Sequence, residues 1–123
     1  MTKVALIVDD SRVSRMMLSN LILAEDPGWQ VFEAANGAEA LSLAEQCQPN
    51  LITIDINMPV MDGFEAVSLL RPQLPTATLV LISANVQASS RARAEALGVH
   101  FLAKPISAML VRQALALWGA EHV

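Results

Sequence analysis

The sequence predicts an α/β fold, a doubly wound parallel sheet built from five βα units. Three observations predict it. Short apolar runs alternate in strict order with longer segments of helical period. The runs are apolar without polar/apolar alternation, as strands are in a sheet covered by helices on both faces. Four of the five runs stop on a polar or charged residue, so chemistry gathers at the carboxyl ends of the strands, where open α/β sheets bind ligands.

The elements follow in order. Lys3–Val8 (KVALIV) is a β-rich run stopped by Asp9-Asp10. Ser11 has the side chain of an N-cap, and the segment to Ala24 carries apolar residues at 13, 16, 17 and 21, the stripe expected to face the core. Pro27-Gly28 marks a turn before the second strand, Trp29–Ala34. Asn36–Cys47 is an Ala-rich helix with Leu41 and Ala44 on one side, ended by Pro49-Asn50. The third run, Leu51–Ile54, stops at Asp55. Phe64–Leu70 is helical and is expected to close at Pro72 and Pro75, because proline cannot donate to the ladder. Thr78–Ile82 stops at Ser83, and Gln87–Leu97 is a helix with Gly98 in the place of a C′ glycine. His100–Ala103 is stopped by Lys104-Pro105, and Ser107–Trp118 is the last helix.

Composition excludes several functions. Lys and Arg number 8 against 12 Asp and Glu, a net charge of −4 with no basic run, which argues against a nucleic-acid binder held by phosphate contacts. The single cysteine, Cys47, excludes a disulfide framework and a CxxC metal site. No apolar run approaches the ~18 residues that span a bilayer, and Val4–Val8 is too short for the apolar stretch of a signal peptide. The expected protein is cytoplasmic, with no membrane and no nucleic-acid partner. No GxGxxG or GxxxxGK[ST] motif supports nucleotide binding.

The strand ends carry Asp9, Asp10, Asp55, Ser83 and Lys104. If the first, third, fourth and fifth strands are neighbours, these side chains converge. Three carboxylates against one lysine leave two negative charges, which one divalent hard cation neutralises. Mg²⁺ suits the set, because it takes oxygen ligands and keeps several waters beside one or two carboxylates and a phosphoryl oxygen. Alone, an aspartate after a strand is as readily a helix N-cap; the agreement of four strand ends favours the shared crevice.

With these residues the chain resembles a response-regulator receiver domain, the superfamily of the chemotaxis response regulator, over essentially its whole length, residues 1–123. The loop DINMPVMDG at 55–63 is very close to the family's D-x-x-M-P-x-M-D-G. Asp9-Asp10, Ser83-Ala84 and Lys104-Pro105 match its other motifs in order. The resemblance implies a flavodoxin-like (βα)₅ sheet of order 2-1-3-4-5. It implies Asp55 as the phosphoacceptor, a carboxylate nucleophile. It implies that Asp9, Asp10, Asp55 and the backbone carbonyl of Asn57 ligate Mg²⁺, and that Lys104, the Ser83 hydroxyl and the Ala84 amide contact the phosphoryl group. It places a switch at Ser83 and Phe101, the latter without the hydroxyl that a tyrosine would bring. Asn57 and Asn85 would tune dephosphorylation, although both also suit turns. The Lys104–Pro105 bond is expected to be cis.

The implied function is acceptance of a phosphoryl group from a sensor histidine kinase or phosphotransfer protein, in a two-component phosphorelay. Output would be by protein contact, with a downstream target or by self-association. The expected contact is the face made by the fourth helix, fifth strand and fifth helix. There the stripe Leu110, Ala114 and Leu117 is expected to be exposed, while Val111, Leu115 and Trp118 pack on the sheet; the alternative is that both stripes are partly buried, the helix sitting deeper because the chain is so apolar. The protein would phosphorylate and slowly dephosphorylate itself without turning over an outside substrate. One rival is a receiver portion of a larger hybrid kinase or multidomain regulator. Another, an aspartyl-nucleophile phosphohydrolase, is disfavoured by Asn57, which stands where such enzymes carry a second acid. Cys47, His100, His122 and the methionines at 16, 17, 58 and 61 suggest packing or surface positions rather than ligands.

Overall fold

The computed structural model of the chain describes residues 3–122; Met1, Thr2 and Val123 of the expected domain lie outside them. The elements are β1 (Lys3–Val8), α1 (Arg12–Glu25), β2 (Trp29–Ala34), α2 (Gly37–Cys47), β3 (Leu51–Asp55), α3 (Gly63–Gln73), β4 (Thr78–Ser83), α4 (Ala88–Ala96), β5 (His100–Ala103) and α5 (Ala108–Glu121). All strand pairs are parallel and the order is β2-β1-β3-β4-β5. This is the doubly wound, flavodoxin-like sheet.

Strand periodicity divides the core in two. Leu6 and Val8 of β1, Ile52 and Ile54 of β3, and Leu79 and Leu81 of β4 meet α2, α3 and Ala94 of α4 on one face. Their alternates Ala5, Ile7, Leu51, Val80 and Ile82 meet α1 and α5 on the other. Central strands are therefore apolar at nearly every position, whereas the edge strand β2 leaves Gln30, Phe32 and Glu33 exposed.

Helix starts are capped by the short polar residues that the sequence puts there. Ser11, Asn36, Asp62 and Ser107 each accept a hydrogen bond from the backbone N–H three residues on. Gly98, at φ +70°, ends α4 in the left-handed conformation expected of it.

Four expectations are corrected. The helix α1 buries Leu18 and Ile22, not the stripe at 13, 16 and 17, where Val13, Met16 and Met17 are exposed. It carries two apolar stripes, and only docking against Trp29 and Leu51 decides which is inside. The stripe expected to be exposed on α5 is mostly core: Leu110 and Ala114 are buried beside Val111, and Leu117 packs against the same cluster as Leu115 and Trp118. One broad apolar face, wider than a single i, i+4 row, sits down on the sheet. The helix α3 runs through Pro72 to Gln73. There the Arg71 guanidinium donates to the carbonyls of Leu74 and Ala77 at 2.6 and 2.7 Å, satisfying acceptors at the helix end. The strands β3 and β4 each extend one residue further than expected, taking Asp55 and Ser83 into the sheet itself.

At the opposite end of the sheet from these residues, Glu121 of α5 accepts from the Thr78 hydroxyl at 2.6 Å and pairs with His100 Nε2 at 2.8 Å. Burial pushes the Glu121 carboxyl up, but the bonds from Thr78 and His100 outweigh it and hold the group below its ordinary value of 4.5. A carboxyl lowered in the folded state stabilises the fold above its unfolded value, and that contribution is lost as pH falls through the folded one. Glu121→Gln is therefore expected to destabilise the protein at neutral pH by less than about 1 kcal/mol, the pair being partly exposed to solvent. Urea melts across pH check this: the difference from wild type should shrink below the ordinary value, and a pH-independent difference refutes it.

Candidate functional site

The sheet order brings the ends of β1, β3, β4 and β5 side by side. Asp9 and Asp10 follow β1, Asp55 ends β3, Ser83 ends β4, and Lys104 follows β5. Asp9, Asp55 and Ser83 are buried, Lys104 is half-buried and Asp10 is exposed. Carboxylate oxygens of Asp9, Asp10 and Asp55 all lie within 4.8 Å of one another. The Lys104 ammonium stands between two of them, 3.6 Å from Asp55 Oδ1 and 3.8 Å from Asp9 Oδ2.

Each side chain is fixed from the backbone. Asp9 Oδ1 accepts from the Ser11 amide at 2.8 Å, and the Asp9 carbonyl accepts from Arg15 Nη1 at 2.7 Å. Arg15 also reaches Glu33 on β2, and so ties α1 and β2 to the acidic pair. Sequence reasoning missed this residue; its signal was an arginine one turn into the helix that follows the aspartates. Asp55 Oδ1 receives the Asn57 amide at 3.4 Å, a long contact. The Ser83 hydroxyl accepts from the Asn85 amide at 3.0 Å, and the Lys104 amide donates to the Ser83 carbonyl at 2.9 Å. Ala84 and Asn85 are exposed on the β4–α4 loop. The Lys104–Pro105 bond is cis, as expected.

The loop after Asp55 is folded back on the strand end. The Gly63 amide donates to the Ile56 carbonyl, and a Cβ at Gly63 would stand 2.7 Å from the Asp55 carbonyl oxygen and the Ile56 Cα. Only glycine permits that approach. Met58 is buried and Met61 packs against the core, which anchors the loop as expected. Phe101, on β5 opposite Leu81, is half-buried against the α3/α4 face.

Electrostatically the crevice is unsatisfied. Burial raises the Asp9 carboxyl; the neighbouring Asp55 and Asp10 raise it further, while the Ser11 amide and Lys104 oppose them. Burial likewise raises Asp55, against Lys104 and the Asn57 amide. Three hard oxygen donors around one lysine, two of them held above their ordinary range, make a donor set that fits a small divalent cation.

A parallel (βα)₅ sheet with three aspartates and a lysine at its carboxyl edge defines a class of signalling domain. The profile of the response regulator receiver domain matches residues 5–116, and the chain belongs to that family. It is 37% identical over 112 residues to the chemotaxis protein CheY of Listeria monocytogenes, covering 89% of this chain and 92% of that one. Protein-glutamate methylesterase/protein-glutamine glutaminase 4 of Myxococcus xanthus is 39% identical over 105 residues, 82% of this chain but 29% of that protein. The chain thus spans less than a third of the length of such methylesterase relatives. Among solved structures, Vibrio cholerae chemotaxis protein CheY4 superposes with a TM-score of 0.85 at 31% identity, covering 94% of this chain and 98% of that one. The chain is a receiver domain of two-component signalling, and receiver domains bind Mg²⁺ at such an acidic cluster. Among the described residues no helix is long and apolar enough to cross a membrane.

Proposed function

We propose that Asp55 accepts a phosphoryl group from a phosphohistidine of a sensor kinase or phosphotransfer protein, with Mg²⁺ held by Asp9, Asp10, Asp55 and the Asn57 carbonyl. The supporting observation is the convergence of three carboxylates and Lys104 on one strand edge. When bound, the cation neutralises phosphoryl oxygens during in-line transfer. The protein's own residues do the positioning. The sheet holds Asp55 at the crevice wall with Oδ1 toward Lys104, Arg15 and Ser11 fix Asp9, and Lys104 is placed to move from carboxylate to phosphoryl oxygen. The Ser83 hydroxyl and Ala84 amide supply donors, and the added charge draws Ser83 inward, biasing Phe101. Asn57 and Asn85 border the route of the hydrolytic water and tune the lifetime.

The chain acts as a switch on partners, not as an enzyme on an outside substrate, and it works in the cytoplasm. The candidate output face is α4–β5–α5, where Leu102, Gln113, Ala116 and Leu117 line an apolar hollow and Met109 is exposed. Sedimentation with and without phosphodonor tests self-association there. A relative of nearly equal length supports this reading of residues 1–123 as a receiver acting by contact. The longer relatives favour a second reading, a receiver portion of a larger regulator, which the mass of the native protein decides.

Incubation with acetyl phosphate and Mg²⁺ should give an acid-stable, base-labile adduct on Asp55. Asp10→Ala is expected to slow its formation at least about 100-fold at low Mg²⁺, comparable to losing a ligand or its support. Titration of rate against Mg²⁺ checks it, and a wild-type rate indifferent to the metal refutes the site.

A further inference from the structure

The helix α4 is thinly attached. Its nine residues bury one side chain, Ala94, and its N-terminus has no side-chain cap. Its two arginines both lie over aromatic rings: Arg91 Cζ is 5.1 Å from the ring centroid of Phe101 on β5, and Arg93 Cζ is 4.3 Å from that of Phe64 on α3. Among the described residues neither guanidinium pairs with a carboxylate. Phe64 is buried in the core, so its ring has one place to be. Phe101 is half-buried and carries no hydroxyl, so no hydrogen bond fixes its ring at the surface. A cation over the ring face is the polar attraction left to it.

We propose that Arg91 is a positioning residue that holds the Phe101 ring in the resting arrangement and so opposes the phosphorylated one. The proposal rests on the reading of Asp55 as acceptor and of Ser83 and Phe101 as its relay. A contact made in one of two states shifts their balance by its own strength, and by linkage it weakens whatever binds the other state. An exposed cation–π contact corresponds to a change of about two- to fivefold.

The test uses beryllofluoride with Mg²⁺ as the phosphoryl mimic and NMR of ring-¹³C phenylalanine. The chain has three phenylalanines, Phe32, Phe64 and Phe101, and the signal missing from a Phe101→Leu variant is that of Phe101. Arg91→Gln is expected to lower the beryllofluoride midpoint about two- to fivefold. It should also move the Phe101 signal of the unliganded protein toward its bound position. Arg91→Lys, which keeps a cation, should fall between. Arg93→Gln removes the same charge from the same helix and should leave the Phe101 signal at wild type without lowering the midpoint. Loss of positive charge alone would weaken binding of an anion, the opposite sign. An unchanged or raised midpoint in Arg91→Gln, or an unmoved Phe101 signal, overturns the proposal. A wild-type protein with no saturable beryllofluoride response overturns the acceptor reading as well, and so is distinguishable. Both arginines are exposed, so neither substitution threatens the core.

Discussion

Asp55→Asn is expected to abolish the acetyl phosphate adduct and at the same time to raise the melting temperature of the metal-free protein. The first effect follows from chemistry: an amide is not a nucleophile toward phosphorus as a carboxylate is. Mass spectrometry checks it, and a persisting adduct on Asp9 or Asp10 would refute Asp55 as sole acceptor. The second effect follows from the crevice's charge. Burial raises the folded-state Asp55 carboxyl, and Asp10 adds to the rise. A carboxyl raised in the folded state makes the fold bind more protons than the unfolded chain. Stability therefore falls as pH rises from the ordinary aspartate value through the raised one, and above it the cost is fully present. Removing the charge should therefore stabilise the metal-free protein at neutral pH in EDTA, because the cost of a buried carboxylate crowded by Asp10 is gone. Thermal unfolding in EDTA from pH 4 to 8 measures it. A variant less stable than wild type at neutral pH would mean that the Lys104 pair outweighs the burial.

Gly63→Ala is expected to destabilise the protein by about 1–3 kcal/mol, the range for forced overpacking, and to slow phosphorylation. The added methyl would meet the Asp55 carbonyl oxygen and the Ile56 Cα, both 2.7 Å away and both backbone. Neither can yield without moving the strand end that presents Asp55. Gly37→Ala is the contrast. Its Cβ would approach Met61 at Sδ, at Cγ (3.0 Å) and at Cβ (3.2 Å), so the contacts are all with one flexible side chain, most of which can rotate away, and none with backbone. Thermal melts of the two variants should differ clearly, and equal losses would show that Met61 is as fixed as the backbone.

The βα alternation, the strand ends and the helix caps were legible in the sequence because each is a local property. A run of branched residues between turn signals, or an asparagine at the head of a helix, acts over a few residues of chain. The five chemical groups were legible because the strands of this topology all point one way, which puts their last residues on one edge. Asp9, Asp10, Asp55, Ser83 and Lys104 are where that reasoning placed them.

What the chain could not announce was which of two equivalent local patterns would be used. On α1 the stripe at 13, 16 and 17 and the pair at 18 and 22 are both apolar and only the second is core, whereas on α5 the 110/114 and 111/115 rows are both packed. Helical periodicity says that a face exists; contact with Trp29, Leu51 and Val80 says which face is inside. Likewise the role of Arg15, the close approach at Gly63 and the guanidinium over Phe101 join residues distant along the chain or fold a loop back on itself. The sequence by itself determined the class of fold and the residues that meet at its carboxyl edge, since both follow from short-range preferences and strand direction. Only the tertiary structure decided which apolar faces are core and which cations hold the acid and the aromatic in place. Those depend on docking one element against another, where the gain in buried area and charge pairing is made between segments and not within them.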